Sequence, residues 1–78
     1  YDNAGLITGD ANAAVTGVLV TLDCTAPVVE EAIRRRCNLI IAHHPIVFKG
    51  LKRLTGSNYV ERTLLLAIKH DIAIYAIH

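Results

Sequence analysis

Apolar and polar positions along the chain change period several times, and each change marks an element. Leu6-Ile7-Thr8 forms a short extended run between turn residues, Asp2-Asn3 and Gly5 before it and Gly9-Asp10 after it. Val15 to Leu22 is apolar and β-branched, so it predicts a strand, with Gly17 as a weak point near its start and Asp23 at its end. Val28, Val29, Ala32, Ile33 and Cys37 then recur at helical spacing, with Glu30, Glu31, Arg34 and Arg35 on the opposite side. Thr25 suits the N-cap and Pro27 the first turn. Acidic residues lead this helix and Arg34-Arg35-Arg36 close it, as the helix dipole favours. Asn38 is the expected left-handed residue after it.

Leu39 to Ala42 has the length and composition of a strand buried on both faces. Residues 43–56 form a long connection with Pro45, Gly50 and Gly56, too apolar for a free linker and expected to fold over whatever lies at the strand end. Asn58-x-x-Glu61 reads as the capping start of a second helix, on which Val60, Leu64, Ala67 and Ile68 make the apolar face and Lys69, His70 and Asp71 the end. Ile72 to Ile77 is a last strand, apolar without alternation and so expected to be buried on both faces. The fold class is therefore α/β: a parallel βαβαβ core with an N-terminal hairpin-like strand and right-handed crossovers.

Parallel strands share one carboxyl edge, where ligands bind in open α/β sheets. Asp23, the pair His43-His44 and His78 end the three strands, so one carboxylate and three imidazoles are expected on one rim. Successive strand residues face opposite ways. An extended His-His pair therefore suits two ions, or two corners of one site, better than chelation of one ion. Pro45 biases His44 toward an extended backbone. Neutral imidazole is a common ligand of divalent metals, and with carboxylates it suits two-metal hydrolytic centres. The plainer reading is that the two histidines are polar residues capping a strand, that Asp23 is a turn residue and that His70 partners a helix dipole. Lys49, Lys52 and Arg53 follow the histidines and could hold an anion, although a solvated loop explains them equally well.

Composition adjusts this picture in one respect. The 78 residues are 53% hydrophobic and 19% charged, richer in apolar residues than an average globular chain at roughly 45–50%. The expectation is that residues 1–78 are the N-terminal part of a single metal-binding α/β domain, a fragment whose surface other segments or subunits cover. A net charge of +1 gives no electrostatic signature of a nucleic-acid binder. No apolar run approaches the roughly 18 residues of a membrane span. Cys24 and Cys37 flank the first helix, whose 12 or so residues would hold them roughly 18 Å apart, too far for a disulfide. Two free thiols fit a reducing compartment such as the cytoplasm.

The segments DNAGLITGD (2–10), VLVTLDCT (18–25), NLIIAHHPIVFKGLKRLTG (38–56) and AIYAIH (73–78) together resemble the NGG-interacting factor three-like family, also known as GTP cyclohydrolase I type 2 homologues. The resemblance runs through the whole chain in order. It implies a larger two-lobe α/β fold, assembly into a ring-like homohexamer, and a centre of two divalent metal ions (zinc, iron, manganese or nickel). It further implies that His43 and His44 are metal ligands, with Asp23 and His78 near the site. The remaining ligands, an Asp, a His and a Glu, would lie beyond residue 78. The implied activity is that of a metal-dependent hydrolase acting on an anionic or nucleotide-like substrate. The alternative is a non-catalytic metal-binding protein that regulates through a protein partner.

Overall fold

A computed structural model describes residues 5–44 and 54–77. The elements follow the sequence pattern: β1 (Gly5–Thr8), β2 (Val18–Asp23), α1 (Ala26–Arg34), β3 (Leu39–His44), α2 (Tyr59–Lys69) and β4 (Ala73–Ala76). They build one four-stranded sheet in the order β1-β4-β3-β2. β2, β3 and β4 are mutually parallel, and β1 runs antiparallel to β4. The expected hairpin-like first strand is thus present, but its partner is β4, at the far side of the sheet from β2.

Both helices lie on one face of the sheet and pack against each other. Strand alternation sends Ile40, Ala42, Ile74 and Ala76 toward them, and all four are buried. Val29, Ala32, Leu64 and Ala67 come down from the helices to meet these strand residues, as the helical spacing predicts. Ile68 departs from that prediction: it stays 48% exposed, and Thr63 takes a buried place on the inner face of α2. Thr63 can do so because its hydroxyl donates to the Tyr59 carbonyl at 2.8 Å.

The other face of the sheet differs from expectation more sharply. Val20 is 70% exposed, Leu22 66% and Ile77 52%. β3 and β4 were expected to be buried on both faces, and among the described residues they are covered on one. The cause is topological. Successive crossovers in the sheet direction β2, β3, β4 place α1 and α2 on the same side, which leaves none of the described elements for the other.

Each helix start and stop has a local cause. Thr25 is the N-cap of α1 with proline in the first turn, but its side chain makes no capping hydrogen bond. The first turn holds no acidic residue; Glu31 instead pairs with Arg34 and Arg35 one turn on, an exposed arrangement that contributes little. α2 begins as the sequence predicts, with the Glu61 N–H donating to the Asn58 side chain at 2.9 Å.

Both helices end alike. Arg36 and Asp71 take left-handed conformations, φ 58° and 55°. The Arg36 N–H reaches the Ile33 carbonyl and the Cys37 N–H the Ala32 carbonyl; Asp71 and Ile72 repeat this with Ile68 and Ala67. This double bond pattern is the Schellman stop. Asn38 is therefore not the left-handed residue. Its side chain accepts from the Thr16 N–H at 2.8 Å and donates to the Ala14 carbonyl at 2.7 Å, tying the connection before β2 to the start of β3. Gly9 has φ +118°, and a Cβ there would lie 2.5 Å from that of Ala73, so the β1 turn requires glycine twice over.

Candidate functional site

Asp23 and His44 are the last residues of β2 and β3, and the parallel register makes them direct neighbours. Both belong to the alternation that faces the helices. Their side chains meet there, His44 Nδ1 lying 2.9 Å from Asp23 Oδ1. His43 belongs to the opposite alternation and lines a shallow depression of about 390 Å³ with Val20, Thr21, Leu22 and Ile77. The two histidines lie within β3 rather than beyond it, so they face opposite ways, as extended backbone requires. Their rings still approach across the strand end, with centroids 5.0 Å apart and planes tilted by 58°. The two side chains thus leave the strand on opposite sides, and at its end the rings turn toward each other.

Asp23 and His44 are both largely exposed, at 67% and 53%, so this contact is a directional hydrogen bond and not a source of fold stability. The backbone under Asp23 is held by the Thr21 hydroxyl, which donates to the Asp23 carbonyl at 3.1 Å. Next to it Cys24 is buried, and burial pushes its thiol up to about 11. It therefore stays a neutral core group and not a thiolate ligand. Cys37 is also free, as the helix length predicts. β4 reaches the same edge, where the Ile77 N–H donates to the Ala42 carbonyl at 3.0 Å.

Of the sequence candidates, the structure brings Asp23, His43 and His44 to one edge. His78, Lys49, Lys52 and Arg53 lie outside the described residues. His70 is away from the edge at the C-terminus of α2, its Nδ1 3.1 Å from the Leu66 carbonyl. The sequence places both residues on a common rim; the structure adds their direct contact. The signal that would have shown it is register: Val18 opposite Leu39 puts Asp23 opposite His44.

The donor chemistry suits a divalent metal in part. Two imidazoles at a strand end, one with its second nitrogen engaged by a carboxylate, are what metal-ligating histidines require. Among the described residues, however, no group of three or more His, Cys, Asp and Glu side chains could hold an ion. A zinc site alone takes about four ligands, so His43 and His44 are too few to hold one by themselves.

Comparison with known proteins places the chain. It is 49% identical over 80 aligned residues to a Staphylococcus aureus protein named GTP cyclohydrolase 1 type 2 homolog, and spans 21% of that protein. It is 40% identical over 78 residues to a protein of the same name from Clostridium acetobutylicum, spanning 29% of it. The chain thus spans less than a third of the length of these curated relatives. Among solved structures, a Staphylococcus aureus protein superposes with a TM-score of 0.91 at 48% identity, over 99% of this chain and 22% of that one. Reduced HcgD from Methanocaldococcus jannaschii superposes at 0.85 with 26% identity, over 99% of this chain and 31% of that one. Among the described residues no helix is long and apolar enough to cross a membrane. The sequence profile of Duf34/NIF3 (NGG1p interacting factor 3) matches residues 1–78 from end to end, and the chain belongs to that family.

Proposed function

We propose that the chain contributes His43 and His44 to a dinuclear metal centre, and that the protein carrying it is a metal-dependent hydrolase for an anionic or nucleotide-like substrate. The observation that carries this reading is the rim itself. Two imidazoles meet at a parallel-sheet carboxyl edge, 5.0 Å between centroids, with one ring oriented by Asp23. The names of the relatives favour a nucleotide, GTP, as the substrate to try first. When bound, a pair of divalent ions would supply an activated water and charge stabilisation. The chain's own part is to present two ring nitrogens from a strand whose backbone is fixed on both sides by β2 and β4. Ligands beyond this chain would complete the centre, and Lys49, which follows the histidines in sequence, is the cation proposed to hold the substrate anion. A cytoplasmic ring hexamer belongs to the same reading.

Elemental analysis of the full-length protein tests it. Close to two divalent ions per subunit are expected, and the His43→Ala, His44→Ala double variant should lose them. Equal metal in wild type and double variant would overturn the ligand assignment. GTP turnover that is abolished by a chelator and restored by metal would support hydrolysis. A second reading, a non-catalytic metal-binding protein acting through a protein partner, is favoured by the family description, which names an interaction with NGG1p. Metal at full occupancy without turnover of any nucleotide would select it.

A further inference from the structure

We infer that Asp23 is a positioning residue: it fixes the tautomer and direction of the His44 ring so that Nε2 carries the lone pair offered to a divalent cation. The inference rests on the reading of His44 as a metal ligand and goes beyond it by giving Asp23 a defined part.

A carboxylate only accepts hydrogen bonds. With His44 Nδ1 at 2.9 Å from Asp23 Oδ1, the proton of a neutral imidazole lies on Nδ1. The lone pair then lies on Nε2, on the far side of the ring from Asp23. Metal-ligating histidines are characteristically held in this way, their second nitrogen donating to a carboxylate or carbonyl. The contact is built into the fold rather than borrowed from a flexible neighbour. Asp23 and His44 are paired residues of adjacent parallel strands, and the Thr21 hydroxyl holds the Asp23 carbonyl. The helix-facing alternation puts both side chains on one side of the sheet. A longer carboxylate would push the ring outward, and an amide could turn its NH2 toward Nδ1 and select the other tautomer.

The structural alternative is that the pair only trims a strand end. Both side chains are more than half exposed, and exposed pairs of this kind contribute little to stability. Loss of Asp23 should therefore leave the fold intact while changing the ring, which is what separates the two roles.

The test uses full-length protein labelled with 15N-histidine, the His44 signals being assigned by difference against His44→Ala. Solid-state NMR of the metal-free wild type should show His44 protonated on Nδ1. In Asp23→Asn and Asp23→Ala that preference should disappear, with unchanged circular dichroism. Co2+ affinity, measured by competition with a chromophoric chelator, should fall by about 10–100-fold in both variants. The visible Co2+ spectrum should shift as well. A wild-type ring protonated on Nε2, or a tautomer and Co2+ affinity unchanged in both variants, would overturn the inference. A wild type that takes up no Co2+ yet shows the Asp23-dependent tautomer would overturn the metal reading and leave the positioning by Asp23 standing.

Discussion

The Glu61 carboxylate accepts from Ser57 twice, from its N–H at 3.2 Å and from its hydroxyl at 3.1 Å. Thr55 adds its own N–H at 3.0 Å and its hydroxyl at 3.3 Å, and the Asn58 amide reaches the second oxygen at 3.2 Å. A residue that is only 6% exposed thus collects donors from three residues of the turn that leads into α2. The turn stands at the end of the connection that follows the histidines in sequence.

These donors make Glu61 a source of acid sensitivity. The Thr55 N–H foremost, and then the Ser57 N–H and the two hydroxyls, hold its carboxyl below the ordinary value of 4.5, against burial, which raises it. A depressed carboxyl contributes stability that is fully present above its unfolded value and is lost as the pH falls through the folded one. The Tm of the wild type should therefore decline below about pH 4.5 more steeply than that of Glu61→Gln, and near neutral pH the variant should melt several degrees lower. Parallel Tm–pH curves for the two proteins would refute this.

Arg36 ends α1 in a conformation that costs a side-chain-bearing residue about 1–2 kcal/mol. Its φ is 58°, and its side chain is not needed for either stop bond, since both are made by backbone. Arg36→Gly should stabilise the protein by about 0.5–1 kcal/mol, the strain relief outweighing the flexibility glycine adds to the unfolded chain. Denaturant titration reads the change as a higher midpoint at constant slope.

The two faces of the sheet predict opposite responses to the same kind of truncation. Ile40 is wholly buried beneath the helices, so Ile40→Ala should cost about 2–5 kcal/mol. Val20 is 70% exposed in the chain as described. Val20→Ala should then cost less than about 0.5 kcal/mol in residues 1–78 alone. Urea unfolding of both variants, repeated in the full-length protein, reads out whether the second face is covered there: a cost for Val20→Ala well above 1 kcal/mol would mean that it is.

Local chemistry was the legible part of this fold. Asn58 and Glu61 announce the start of α2 because a capping pair needs only residues three apart. Val29, Ala32, Leu64 and Ala67 announce the helix faces because 3.6-residue periodicity survives without tertiary information. Asn38 departs from its local sequence signal for the converse reason. Its partners, Thr16 and Ala14, lie 22 and 24 residues away, and the helix stop had already been taken by Arg36, a residue type with no preference for it. β1 was legible as a strand, but nothing local could say that β4 is its neighbour. At the site, strand ends identified Asp23, His43 and His44 as residues of one edge. The hydrogen bond between Asp23 and His44 needed the register of two strands, which an apolar run such as Leu39-Ile40-Ile41 does not specify.

The alternation at the end of β3 has a mechanical consequence. His43 shares its surface with Val20, Leu22 and Ile77, and His44 shares the opposite surface with Asp23 and the helices. The two imidazoles hang from the adjacent Cα atoms of one peptide unit, so a backbone change at the end of β3 reaches the stems of both rings. Whatever lies against the exposed valine and leucine therefore meets His43 on the same surface. A single stretch of backbone thus serves both surfaces, the uncovered one through His43 and the helix side through His44.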